Sequence, residues 1–81
     1  MNFIYHHDAG HGWLEVPATL VEELGIKISA FSYKKDDKAY LEEDCDAPLF
    51  LKSLQSHGID YEIADKYDGD YSPIRNFAHY K

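Results

Sequence analysis

The chain has 81 residues, 44% hydrophobic and 15% aromatic, with a formal net charge of −7. That balance excludes a disordered polymer and supplies one core, so the expectation is a single α+β domain over residues 1–81. No apolar run approaches the ~18 residues of a membrane helix and Met1-Asn2-Phe3 opens no signal peptide, which predicts a cytoplasmic protein with no membrane association.

Phe3-Ile4-Tyr5-His6 alternates as a first strand, and His7 to Gly12 reads as a turn because its glycines permit positive φ. Trp13-Leu14-Glu15-Val16 resumes extended structure and completes a hairpin over 3–16. Pro17 suits the first position of a helix whose buried stripe is Leu20, Val21 and Leu24, with Gly25 as its stop. Ile26 and Ile28 lead into a strand at Ala30-Phe31-Ser32-Tyr33. A polar loop over 34–38 returns the chain as Ala39-Tyr40-Leu41-Glu42.

A second helix follows, with Asp44 or Asp46 placed to cap it and Phe50, Leu51 and Leu54 on its apolar face, and Gly58 ends it. Ile59, Tyr61 and Ile63 alternate with acids as a half-exposed strand, 65–69 reads as a turn, and Ser72-Pro73 opens a short C-terminal helix carrying Ile74, Phe77 and Ala78. The order is ββαββαβ plus that helix. It predicts a small single-layer, antiparallel-rich sheet with two helices on one face and the other face left to water or a partner.

Charge is the strongest global signal. Between Asp36 and Asp70 stand eleven acids against Lys38, Lys52 and Lys66. Such a surface repels phosphate backbones, so no direct nucleic-acid binding is expected, and it attracts basic proteins. Seven tyrosines add amphipathic anchors of the kind interfaces use. The partner-binding set is therefore Glu42, Glu43, Asp44, Asp46, Asp60, Glu62, Asp68 and Asp70, with Tyr40, Tyr61, Tyr67 and Tyr71.

Enzymatic and metal chemistry have weaker sequence support, and a non-enzymatic protein without cofactor is expected. His6, His7 and His11 with Asp8 bring imidazole and carboxylate ligands within six positions, the basis of an alternative metal-binding or hydrolytic reading. Asp65, Asp68 and Asp70 do not follow the spacing of a calcium loop. Cys45 is the only cysteine, so one chain forms no internal disulfide, and its acidic neighbours oppose thiolate formation. A small domain without such staples is open to homodimerisation. A dimeric transcription-associated module is a further alternative, with Lys27, Lys34, Lys35 and Lys38 as its basic patch.

The blocks His7-Asp8-Ala9-Gly10-His11-Gly12-Trp13-Leu14-Glu15-Val16-Pro17, Tyr40-Leu41-Glu42-Glu43-Asp44-Cys45-Asp46-Ala47 and Ser72-Pro73-Ile74-Arg75, together with Leu24-Gly25-Ile26, resemble a family of small phage- and plasmid-borne proteins. The resemblance spans nearly the whole length and implies no established activity. It implies a mobile-element context and an anti-defence, anti-CRISPR-like role, in which an acidic protein occupies the basic surface of a host protein or ribonucleoprotein complex. Val16-Pro17 running into Leu24-Gly25-Ile26 also resembles the helix entry of AbrB-type transcription factors.

Overall fold

The computed structural model describes residues 1–80. Its elements are β1 (Asn2–His7), β2 (Gly12–Pro17), α1 (Ala18–Leu24), β3 (Tyr33–Lys35), β4 (Lys38–Glu42), α2 (Asp46–Ser56), β5 (Glu62–Tyr67), a 3-10 turn (Pro73–Asn76) and β6 (Ala78–His79). The fold is α+β: one six-stranded mixed sheet in the order β5-β1-β2-β4-β3-β6, with two helices.

Strand alternation decides the core. Phe3 of β1, Leu14 and Val16 of β2, and Ala39 and Leu41 of β4 share one face, and they cluster with Leu20 and Val21 of α1 and Ala47, Phe50 and Leu54 of α2. Both helices therefore lie on that face. Phe50 meets Phe3 edge to face at 5.4 Å between ring centres, which adds about 1 kcal/mol to the area both rings bury.

Both helices end in the same way. Gly25 and Gly58 adopt φ of 69° and 70°, a left-handed conformation that costs glycine little. The N–H of Gly25 donates to Glu22 O (3.1 Å) and that of Ile26 to Val21 O (3.4 Å), while Gly58 and Ile59 repeat the pattern onto Gln55 and Leu54. These bonds satisfy the last helical carbonyls and turn Ile26 and Ile59 back onto the core.

Several boundaries differ from the sequence expectation. β5 begins at Glu62, so Ile59 and Tyr61 pack as a lead-in and the predicted turn at 65–69 is strand as far as Tyr67. β5 runs parallel to β1 in register from Asn2↔Glu62 to His7↔Tyr67. Only a crossover connection allows this, and α2 provides it by carrying the chain over the core face from β4 to the far edge. β3 starts at Tyr33 rather than Ala30, and the 34–38 loop contracts to Asp36-Asp37 between the paired Lys35 and Lys38. Pro17 pairs with Lys38 as the last residue of β2 instead of opening α1.

The C-terminal segment is the largest change. The expected helix is a single 3-10 turn, after which Ala78 and His79 pair with β3. This segment lies across the sheet face opposite the helices. Ile74 is buried, Phe77 meets Tyr40 edge to face at 5.1 Å, and Arg75 lies over Trp13. The face expected to be open is thus partly roofed by the chain itself.

Candidate functional site

Register places three connections at one end of the sheet. They are the β1–β2 turn, the β4–α2 turn, which is tied to the first by the Glu43 N–H donating to Gly12 O (3.1 Å), and the loop after β5, whose Asp68 N–H donates to His7 O (2.7 Å).

Asp8 joins them. Its side chain is fully shielded, and Oδ1 accepts from the backbone N–H groups of Gly10 (2.9 Å) and His11 (3.0 Å), which shapes the β1–β2 turn. Oδ2 accepts from the Ser72 N–H at 2.8 Å, and Arg75 grips both oxygens through Nε (2.6 Å) and Nη2 (2.9 Å). The Arg75 bond, helped by the three N–H groups, outweighs burial and holds the Asp8 carboxyl well below the usual carboxylate range. Arg75 is correspondingly held charged. Its guanidinium lies 5.3 Å from the ring centres of both Trp13 and Tyr71, sandwiched between them.

Beside this sandwich is a depression of about 320 Å3 lined by His11, Trp13, Phe31, Tyr33, Glu42, Asp44, Cys45 and Arg75. Trp13 and Tyr33 meet edge to face at 6.3 Å, and Phe31 stands 70% exposed at the rim. Glu42 Oε1 accepts from the Cys45 N–H at 2.9 Å, holding the acidic turn in place. Asp8 pairs the charge of Arg75, which leaves Glu42 and Asp44 as the acidic side chains lining the depression. Trp13, 3% exposed and covered by Arg75, is the buried wall of the depression, so the aromatic surface open to a ligand is that of Phe31 and Tyr33, and with the two carboxylates it favours a cation. The Cys45 thiol is pushed up by desolvation and then by Glu42, Asp46 and Asp44, which makes it a poor nucleophile.

The acidic residues singled out in the sequence divide. Glu42, Glu43, Asp44 and Asp70 gather at this end of the sheet, with the exposed Tyr67 and Tyr71. Asp60 and Glu62 lie at the opposite end, beside Met1 and Asn2. Two acids leave the surface altogether. Asp46 is 2% exposed and accepts from the Ser29 N–H and hydroxyl and the Ser32 hydroxyl, so it pins the 29–32 turn and neither caps α2 nor faces a partner. The Asp68 side chain is 4% exposed and accepts from the Ser72 hydroxyl at 2.7 Å. Burial raises its pKa, but Ser72, His6 and Lys66 together leave it lowered.

Of the predicted tyrosine anchors, Tyr61 packs on the core and Tyr40 is half-buried between His6 and Phe77. The histidines separate because neighbours on a strand point to opposite faces. His6 bonds Glu15 at 2.7 Å, and His7 bonds Asp65 at 2.7 Å across the sheet. Among the described residues no group of three or more His, Cys, Asp or Glu side chains is placed to hold a metal. Lys34 and Lys35 lie over Tyr80 and Phe77 on the β3 side of the sheet.

Sequence reasoning missed Trp13, Tyr33, Phe31 and Arg75. The available signal was Arg75 itself, the one arginine in an acid-rich chain, which required a carboxylate partner.

Comparison with protein-family models, with curated proteins and with solved structures finds no match. No helix among the described residues is long and apolar enough to cross a membrane.

Proposed function

We propose that this chain is a non-enzymatic acidic binding protein that engages the basic surface of a partner, receiving an arginine or lysine side chain in the depression beside Trp13, against Phe31 and Tyr33. The observation that carries this reading is the pairing of Glu42 and Asp44 with the rings of Tyr33 and Phe31 around one depression walled by Trp13. Cation–π attraction and opposite charge there act on the same ligand atom group. Glu43, Asp70, Tyr67 and Tyr71 extend the same acidic, aromatic end of the molecule and form the rest of the contact.

The partner in this reading is a basic host protein or ribonucleoprotein complex, and binding inhibits a defence or nucleic-acid-binding function by covering its basic surface. The mobile-element context rests on the sequence resemblance. The three blocks that carry it contribute His11 and Trp13, then Glu42, Asp44 and Cys45, and Arg75 to the pocket.

Trp13 is the only tryptophan, so its fluorescence reports occupancy. Titration with an arginine-rich peptide is expected to change that signal, to weaken steeply with salt, and to lose its effect in the Glu42→Gln/Asp44→Asn double variant. An affinity that stays flat from low to high salt would falsify the electrostatic reading. A pull-down from host cytosol eluted by a salt gradient then identifies the target.

A further inference from the structure

β5 ends the sheet, and all six of its residues are exposed. Glu62 donates its N–H to Met1 O (2.8 Å) and Asp68 donates to His7 O (2.7 Å), which fixes the strand's parity. The backbone groups of Glu62, Ala64 and Lys66 face β1, while those of Ile63, Asp65 and Tyr67 face outward with no backbone partner among the described residues. A long edge of this kind is a template for another strand. It carries no proline or bulge to protect it, and Ile63 is 43% exposed on it.

The strand's own charges select the occupant. In an antiparallel pairing of two copies, outward-facing residues must oppose outward-facing residues, so the two-fold axis falls on a residue. An axis at Asp65 sets that carboxylate against itself, and an axis at Lys66 does the same with two ammonium groups. An axis at Ile63 leaves only the first three residues of β5 paired within the strand. An axis at Ala64 sets Ile63 against the second copy's Asp65 with reciprocal N–H···O bonds. It also faces Glu62 with the second copy's Lys66, twice by symmetry, across a small Ala64–Ala64 contact. Lys66, now 3.4 Å from Asp68 and 63% exposed, has the freedom to reach across.

We infer that the protein forms a homodimer by antiparallel β5–β5 pairing about Ala64, making one continuous sheet of two copies. This goes beyond the proposed function: the Trp13 pocket lies on β2, with β1 between it and β5, and although Tyr67 belongs to both surfaces, the pocket acids and the Glu62–Lys66 pair are tested by separate variants.

Charge reversal on the intact chain is the test, read by sedimentation equilibrium with circular dichroism to confirm folding. The natural chain is expected to be dimeric. Glu62→Lys sets like charges opposite at both symmetric positions and raises the dimer dissociation constant by about tenfold. Lys66→Glu does the same, and the Glu62→Lys/Lys66→Glu double variant restores dimerisation. A natural chain that stays monomeric at millimolar concentration overturns the inference. So does a dimer indifferent to the single reversals, or one that the double variant fails to restore, since either would use another surface or register.

Discussion

The Asp8 carboxylate and the Arg75 guanidinium, 67 positions apart in the chain, meet at 2.6 and 2.9 Å in a two-point ion pair shielded by Trp13 and Tyr71. This contact ties the β1–β2 turn to the C-terminal segment, and through Trp13 it sets the floor of the pocket. Fold and candidate site therefore depend on the same pair.

Arg75→Ala leaves a buried carboxylate without its cation, and Asp8→Ala leaves a guanidinium and three N–H groups short of an acceptor. Each is expected to lower the melting temperature by on the order of 10 °C. Arg75→Lys recovers little, because an ammonium cannot grip two oxygens in this geometry. Thermal unfolding of the single and double variants checks this, and strictly additive losses would contradict a coupled pair.

The depressed Asp8 and Asp68 carboxyls have a signed consequence for acid stability. In acid the unfolded chain takes up protons before the folded one does, so stability is complete above the ordinary aspartate pKa of about 4 and drains away as pH falls below it. Urea midpoints measured from pH 6 to pH 2.5 are expected to fall less steeply in Asp8→Asn than in the natural chain. Parallel curves would show that Asp8 carries none of the dependence.

The alkaline limb has the opposite sign. Burial, then the charges of Glu43, Asp65 and Asp44 with a Glu43 hydrogen bond, pushes Tyr5 up to about 12, and burial also raises Tyr40 and Tyr80. The unfolded chain releases these protons first, so their contribution is present below about pH 10 and is lost above it. Ultraviolet titration of the phenols is expected to separate a late group containing Tyr5 from an early group, and a single uniform transition would contradict it.

Gly12 lies under the Tyr5 ring: a Cβ built there falls 1.8 Å from the phenol oxygen and 2.3 Å from the ring carbon bearing it. Gly12→Ala is expected to cost about 1–3 kcal/mol by overpacking. The cost should shrink when Tyr5→Leu is introduced first, and chemical denaturation of the four-member cycle measures that coupling.

Asp46 and Asp44, two positions apart, are expected to differ sharply. Asp46→Ala strands the Ser29 N–H and the buried Ser32 hydroxyl, a loss of about 2 kcal/mol or more. Asp44→Ala, at an exposed turn, is expected to change stability by less than about 0.5 kcal/mol while weakening capture of an arginine-rich peptide. Equal stability losses at the two positions would undo the distinction between a buried structural acid and a pocket acid.

Local rules made part of this architecture legible from the sequence. Alternation at Phe3 and Tyr5 and at Leu14 and Val16, the apolar stripe of Phe50 and Leu54, and the glycine stops at 25 and 58 all rest on interactions within a few residues, where side-chain periodicity and φ preference suffice. The acidic character of the surface also follows from composition alone.

Other features were decided only by tertiary structure. Glu62 to Tyr67 became a parallel edge strand because β1 offered an unpaired side and α2 was long enough to cross to it. The 29–32 turn formed around a carboxylate fourteen or more positions away. Asp46 and Asp68 turned inward to meet Ser32 and Ser72. The Trp13 pocket arose because Asp8 drew Arg75 back across the sheet. Each of these outcomes depends on pairing between segments distant in the chain, whose favourable energy appears only once the core has brought them together.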